Sequence, residues 1–235
     1  MDTVLIERRF CGPPDSGNGG YTCGRLAAFL EGPVLARLQA PPPLNVEMAV
    51  RKAAAGVEFV NGASVVAWAR VSEVALQVPT APTFEEAEAA ARGYRGFQSH
   101  PFPTCFVCGP ERAPGDGLRV FAGALGRDKA VAAPWIPDAS LADGKGRVKP
   151  EFLWAALDCP GAFSFDHPGD AAAVLGEMAA QVTGSAQVGE RCVVIGWELG
   201  REGRKHHTGT ALFSESGERI GVARATWFEV TRASA

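Results

Sequence analysis

The stretch "PEFLWAALDCPGAFSF", residues 150–165, constrains the fold most, because a helix formed there has no polar side. Proline suits the first position of a helix. At 3.6 residues per turn the apolar side chains then point in all directions; they include Phe152, Leu153, Trp154, Ala156 and Leu157. Such a helix must be enclosed by other structure. Since strand-like segments flank it, we expect a curved antiparallel sheet wrapped around a central hydrophobic helix.

The order strand, helix, strands occurs twice in the chain. The first copy has "TVLIERRF", a helix over about residues 20–31, and strands with period-two patterning that include "NVEMAVRK" and a hairpin at Asn61-Gly62. The second copy has "GLRVFAGAL" and "KAVAAPWIP", the apolar helix, and the strands "EMAAQVTGSA", "RCVVIGWELG", "KHHTGTALFS" and "RIGVARATWFEV". The spacing of about 130 residues indicates an internal duplication of one small α+β domain.

A proline-bounded segment separates the two copies. Residues 79–104 carry one short acidic, alanine-rich helix between prolines, as a packed connector would. We therefore expect a first domain at 1–78, a linker with a short helix at 79–104, and a second domain at 105–235.

Charge and hydropathy narrow the classes of partner. The net charge of −3 gives no basic field for nucleic acid or an anionic membrane, so a small-molecule ligand is expected. The first ten residues do not resemble a signal peptide, and no stretch approaches about 18 uninterrupted apolar residues, so we expect a cytoplasmic protein with reduced cysteines. Exposed sheet edges or faces would allow a homodimer.

The tripeptide Asn18-Gly19-Gly20 opens the first predicted helix at a cost. Glycine there is less stable than alanine by roughly 0.5–1 kcal/mol. Backbone N–H groups at a helix start have no intrahelical acceptor, so they can face the oxygen of a ligand that gains negative charge. Losing one such donor costs about 3–4 kcal/mol in a transition state. The alternative is that Asn18 is only an N-cap and the glycines only a tight turn.

Asp158 is an acid within the apolar helix. Burial there should raise its pKa and make it a better base than a solvated aspartate. Pro160 lacks an amide proton, so the helix should kink or end beside it. A buried, hydrogen-bonded structural acid is the alternative interpretation.

Together these features resemble the hotdog-fold acyl-CoA thioesterase superfamily in its double-hotdog, or tandem, form. The motifs that carry the resemblance are Asn18-Gly19-Gly20 and "AALDCPGAF". In single-domain relatives a similar glycine turn precedes a helix acid, but Ala27 stands at that position in the first half. The second half has Asp158 and no glycine pair nine positions earlier, at residues 149–151. One composite site across the halves and two separate sites both remain open.

The resemblance implies an acyl-CoA thioesterase in which Asp158 activates water or attacks the carbonyl. Thr183 would supply the hydroxyl that relatives pair with the acid, whereas the glutamine of those relatives is missing near Ala225. Asn18, Gly19 and Gly20 would position the thioester oxygen. No metal or bound cofactor is implied, because coenzyme A enters as part of the substrate.

Two further groups of residues have side chains that could bind a ligand. Arg204, Lys205 and His206 are candidates to meet the phosphates of coenzyme A, with a solvated strand end as the alternative. The pair Cys105 and Cys108 in "CFVC" suggests zinc, but no second pair or suitably spaced histidine completes four ligands, so buried thiols in an ordinary turn are expected.

Two rival functions remain. One is a non-catalytic hotdog protein that binds acyl-CoA or lipid, because neither half carries a complete site. The other, ranked lower, is a hotdog enoyl-CoA hydratase that uses Asp166 and His167 of "FDHPGD".

Overall fold

The computed structural model describes residues 2–127, 129–166 and 171–231. Its α-helices are α1 (Gly19–Ala27), α2 (Phe84–Ala91), α3 (Pro150–Ala156) and α4 (Cys159–Phe163). Its strands are β1 (Thr3–Leu5), β2 (Val34–Leu38), β3 (Glu47–Ala53), β4 (Gly56–Asn61), β5 (Ser64–Val71), β6 (Gly123–Ala124), β7 (Ala130–Trp135), β8 (Ala171–Val182), β9 (Cys192–Glu202), β10 (Lys205–Phe213) and β11 (Arg219–Thr231).

All of these strands belong to one antiparallel sheet with the order β1-β3-β4-β5-β2-β8-β11-β10-β9-β7-β6. From the edge of the sheet toward its centre, the first half has the order β1-β3-β4-β5-β2 and the second half, without β6, has the order β7-β9-β10-β11-β8. Numbered along the chain within each half, both orders are 1-3-4-5-2. The halves meet where β2 pairs with β8, with Val34 opposite Ala180. The repeat seen in the sequence is therefore also a repeat of strand order.

One face of the sheet carries α1, α3 and α4, and the apolar side chains of α3 are buried. Phe152, Leu153 and Trp154 are each at most 4% exposed. Helices α1 and α3 approach closely because Gly24 of α1 has no side chain: a Cβ there would lie 2.8 Å from the Cα of Glu151. Helices α1 and α3 are thus in direct contact.

The other face of the second half is covered by α2. Its first turn is held by a capping box, in which Thr83 Oγ1 accepts from the Glu86 N–H and Glu86 Oε2 accepts from the Thr83 N–H. Ala87 and Ala90 pack against alternate residues of β7 and β9, including Ala132. The helix in the predicted connector is therefore packed onto the second half of the sheet.

Several boundaries differ from those expected. Strand β2 was missed because it is short and directly follows Gly32-Pro33. "GLRVFAGAL" forms only β6, since Arg119 has left-handed backbone geometry with φ 56°, which interrupts a strand. Helix α1 ends at Ala27 rather than near residue 31.

The break in the second apolar helix is confirmed, since α3 ends at Ala156 and α4 begins at Cys159. The hairpin at Asn61-Gly62 is also confirmed by the pairing of β4 with β5. Within the described residues, none of the helices has the length and apolar character to cross a bilayer. All six cysteines are free and buried.

Candidate functional site

Asp158 lies between α3 and α4, directly before the first residue of α4. Only 2% of it is exposed. The helix break beside Pro160 turns the chain at this residue, so the carboxylate points toward α1 of the first half.

The start of α1 supplies both hydrogen-bond donors to this carboxylate. Asn18 Nδ2 donates to Asp158 Oδ2 at 2.8 Å, and the Gly20 N–H donates to the same oxygen at 3.0 Å. Asn18 also caps its own helix, because its Oδ1 accepts from the Tyr21 N–H at 2.9 Å. The structure therefore brings the glycine turn of one half and the acid of the other into one composite cluster.

Gly20 is required for this contact. A Cβ at Gly20 would lie 2.5 Å from the Cβ of Asp158 and 2.8 Å from the carbonyl oxygen of Trp154. The space left by the missing side chain is filled by Asp158 itself. The glycine thus lets the two halves approach each other at this point.

Burial controls the electrostatics of the cluster. Loss of solvent raises the pKa of Asp158 to about 7, with a further increase from Cys105, while the hydrogen bonds from Gly20 and Asn18 act in the opposite direction. A raised pKa was expected for an acid in an apolar helix. The carboxyl group therefore binds and releases a proton near neutral pH.

The two carboxylate oxygens have different surroundings. Oδ2 accepts both bonds described above, whereas Oδ1 is also buried and has no hydrogen-bond partner within the described parts of the chain. A buried polar atom without a partner costs about 1–3 kcal/mol and calls for an explanation. One carboxylate oxygen is therefore fixed by the protein, and the other is enclosed without a hydrogen-bond partner in the described chain.

The expected oxyanion role of the glycine turn needs a correction. The Gly20 N–H and the Asn18 amide point at Asp158, because an unpaired helix start attracts the nearest carboxylate. Among residues 2–127, 129–166 and 171–231, the Gly19 N–H is left without an acceptor. Gly19 is also the one residue of the three that is partly exposed.

Thr183 is not part of this cluster, which corrects the second expectation. It is exposed just after the end of β8, where its N–H donates to the Ile220 carbonyl. Its hydroxyl makes no hydrogen bond to Asp158, whose described donors are Asn18 and Gly20. Asp158 is buried and Thr183 is exposed, a difference that their spacing in the sequence does not show.

The expected coenzyme A phosphate site also needs a correction. His206 is 2% exposed and points inward, where its Nε2 lies 2.7 Å from Glu229 Oε1 and its ring stacks on Phe165 at 3.9 Å. Arg204 and Lys205 are exposed beside the turn between β9 and β10. Because His206 faces a carboxylate, the three residues do not form one anion site.

A cluster of three thiols lies beside Asp158. Cys105 and Cys108 are joined there by Cys159, and their Sγ atoms all lie within 4.8 Å of one another. Hydrogen bonds from the thiols of Cys108 and Cys159 lower the pKa of Cys105. Burial raises the pKa of Cys108 and of Cys159. Sequence reasoning found the pair but missed the third thiol, which is 51 residues beyond Cys108.

Two open cavities lie elsewhere on the surface. One of about 660 Å³ is lined by residues that include Arg119, Trp135 and Ile136, and another of about 630 Å³ lies near Gln187. Neither is lined by Asp158. The enclosed acid is therefore separate from both.

Of the two residues of the hydratase alternative, the structure describes Asp166. Asp166 is fully exposed and forms an ion pair with Arg95 at 2.8 Å. His167 lies outside the described residues.

Replacing Asn18 by alanine tests the link between the halves. The change removes a helix cap, worth about 1 kcal/mol, and a bond to a buried carboxyl group, worth about 1.5–3 kcal/mol. We expect the free energy of unfolding to fall by about 2–4 kcal/mol in denaturant titrations. Thr83→Ala, which removes the cap of α2, is the matched control, with an expected loss of about 1 kcal/mol. Equal losses in the two variants would contradict a stabilising contact between Asn18 and Asp158.

No family model and no curated protein matches the sequence. A protein from Thermobifida fusca assigned as a thioesterase II is similar in structure, with 13% identity, a TM-score of 0.59, and coverage of 97% of this chain and 91% of that chain. The TesB protein of Mycobacterium avium subsp. paratuberculosis has 13% identity and a TM-score of 0.56, covering 91% of this chain and 87% of its own. The resemblance to hotdog-fold thioesterases is confirmed at the level of the fold.

Proposed function

We propose that this protein is a thioester hydrolase that cleaves acyl-CoA with Asp158 as its catalytic residue. The observation that carries the proposal is the buried Asp158 Oδ1, which has no hydrogen-bond partner in the described chain while Oδ2 is held by the other half. A catalytic carboxylate needs one fixed oxygen and one that can meet a water or a carbonyl. The overall likeness to thioesterases in fold supports the class of reaction.

The carboxylate acts as a general base in this proposal. Oδ1 takes a proton from a water molecule, and the water oxygen forms a bond to the thioester carbonyl carbon. The carbon–sulfur bond of the resulting tetrahedral intermediate then breaks. The departing thiolate of coenzyme A takes the proton from Asp158, which restores the carboxylate and releases the free acid.

The Gly19 N–H supplies the oxyanion donor. It lies at the start of α1, where the positive end of the helix dipole favours a developing negative charge. Gly20 and Asn18 act as positioning residues, because they hold Oδ2 and so orient Oδ1.

Substrate approaches the acid beside Gly19. This residue is partly exposed and adjoins Gly20, which contacts Asp158. The side chain of Leu175 flanks the path, since a Cβ on Gly19 would lie 2.8 Å from it. We infer that the thioester displaces Leu175 as it enters.

The chain is a fused pair of hotdog units in this account, divided as 1–78 and 105–235 with the segment 79–104 between them. The repeated strand order and the contact of α1 with α3 support this division. The equivalent site, with the acid on α1 and the helix start on α3, is incomplete. Ala27 stands where the first half would carry its acid, and Pro150 begins α3 without an N–H. One composite site therefore serves both units.

A second candidate function is a hotdog protein that binds acyl-CoA or lipid without hydrolysing it. The observation that favours it is the 2% exposure of Asp158, which suits a purely structural acid. Catalysis requires that the enclosure opens, whereas binding at another surface does not.

Release of coenzyme A from a panel of acyl-CoA thioesters tests the proposed function. The panel contains short, medium, long and aromatic acyl groups, and free coenzyme A is quantified by chromatography. We expect turnover of at least one class. Saturable binding without release of coenzyme A would support the binding protein, and absence of both binding and release would overturn the acyl-CoA proposal.

A further inference from the structure

The three thiols beside Asp158 come from two distant parts of the chain. Cys105 and Cys108 lie in the turn that follows the connector, and Cys159 is the first residue of α4. They are 3%, 3% and 6% exposed, and no described disulfide joins them. Their sulfur atoms are thus gathered in one buried cluster.

The spacing of the sulfur atoms suits a tetrahedral metal. Zinc–sulfur bonds of about 2.3 Å at tetrahedral angles place two sulfur ligands about 3.8 Å apart. The Sγ atoms of Cys105 and Cys159 are 3.8 Å apart, and all three fall within 4.8 Å of one another. A three-thiolate face requires the Cys108 sulfur to take the same spacing from the other two.

The turn around the first pair presents both sulfurs to the same side. In "CFVCG" the Gly109 N–H donates to the Cys105 carbonyl at 2.9 Å, and a Cβ on Gly109 would lie 2.5 Å from the Pro103 carbonyl oxygen. The backbone N–H groups of Val107 and Cys108 lower the pKa of the Cys105 thiol. Donors of this kind stabilise a thiolate ligand.

A further donor comes from the first half. Asn18 Nδ2 lies 3.9 Å from Cys105 Sγ while it donates to Asp158 Oδ2 at 2.8 Å. The same amide group therefore contacts both the thiol cluster and the acid. These donors favour negative charge at the Cys105 sulfur, whereas burial favours the neutral thiol at Cys108 and Cys159.

We propose that Cys105, Cys108 and Cys159 bind one Zn²⁺ ion as thiolates, with a water molecule as the fourth ligand. Sulfur ligands select soft or borderline cations, and zinc needs no change of oxidation state on binding. Each thiol that becomes a ligand releases its proton to solvent. The ion would tie the turn at 105–108 to the start of α4 and so fix the residue before it, Asp158.

Metal content of the reduced, full-length protein tests this proposal without any measurement of turnover. We expect one zinc per chain by elemental analysis, and less than a tenth of that in Cys105→Ser and Cys159→Ser. Cys23→Ser and Cys192→Ser are matched controls, because both residues are fully buried and lie outside the cluster. They should retain one zinc per chain. Equal metal content in all four variants would overturn the assignment.

A cobalt titration keeps the test independent of whether the variants fold. Metal-free, reduced wild-type protein is titrated with Co²⁺, and thiolate coordination is detected by the charge-transfer absorption between sulfur and cobalt. We expect saturation at one equivalent and loss of the signal when Zn²⁺ is added. A folded protein that takes up no Co²⁺, or takes it up without that absorption, would overturn the proposal.

Discussion

Asp158→Asn is expected to lower the turnover of acyl-CoA by about 10²–10⁴-fold, the usual contribution of a general base. Asparagine has the same shape, and its carbonyl oxygen can still accept from Asn18 Nδ2 and the Gly20 N–H. The fold should therefore be kept, while the group that takes the proton is lost. The readouts are kcat for release of coenzyme A and Kd for the same acyl-CoA by calorimetry, with Kd expected to change less than about threefold.

Asp15→Asn is the matched control for this experiment. Asp15 is an exposed acid in the turn that leads to α1, three residues before Asn18. It should retain the turnover of the wild-type protein. Turnover of Asp158→Asn within about twofold of wild type would remove Asp158 from the mechanism and leave it a structural acid.

Gly20→Ala is expected to impair both stability and turnover. The new methyl group would lie 2.5 Å from the Cβ of Asp158 and 2.8 Å from the Trp154 carbonyl oxygen, so α1 and the α3–α4 break must separate. Overpacking of this kind costs about 1–3 kcal/mol, or about 2–12 °C in Tm for a chain of this size. Misplacement of a catalytic group by about 1 Å can lower turnover about 100-fold.

Gly144→Ala provides the comparison for Gly20→Ala. A Cβ at Gly144 meets nothing within 4 Å, so the same chemical change should leave both Tm and turnover close to wild type. If Gly20→Ala also matched the wild-type protein in Tm, the close contact between the two halves would be wrong.

The fold was largely predictable from local pattern. The apolar circumference of residues 150–157 predicted that their side chains are buried, and Phe152, Leu153 and Trp154 are buried. The Asn61-Gly62 dipeptide fixed a hairpin through its turn geometry. Strand β2 was not predicted, because a five-residue segment directly after Gly32-Pro33 is too short to show a clear period-two pattern. This strand nevertheless joins the two halves by pairing with β8.

The site was only partly predictable, because its residues meet across the whole chain. Asn18 and Asp158 are 140 positions apart, and no local signal shows that the helix start of one half binds the acid of the other. The structure brings together Asn18, Gly20 and Asp158, all of which were candidates. It also shows that Asn18 and Gly20 donate their hydrogen bonds to Asp158.

The remaining candidates depended on side-chain direction, which spacing does not determine. His206 lies on a strand, and its inward orientation toward Glu229 follows from the register of β10 with β11. Thr183 is just beyond the last residue of β8, where the chain leaves the sheet. Cys159 is isolated in the sequence, but the break between α3 and α4 places its sulfur 3.8 Å from that of Cys105.

A crystal structure of Asp158→Asn with an intact acyl-CoA bound tests the central claim most directly. The account predicts the thioester carbonyl carbon beside the side chain at position 158, its oxygen within hydrogen-bond distance of the Gly19 N–H, and Leu175 displaced. An acyl-CoA bound elsewhere, such as in the cavity beside Trp135, with position 158 still enclosed, would contradict it.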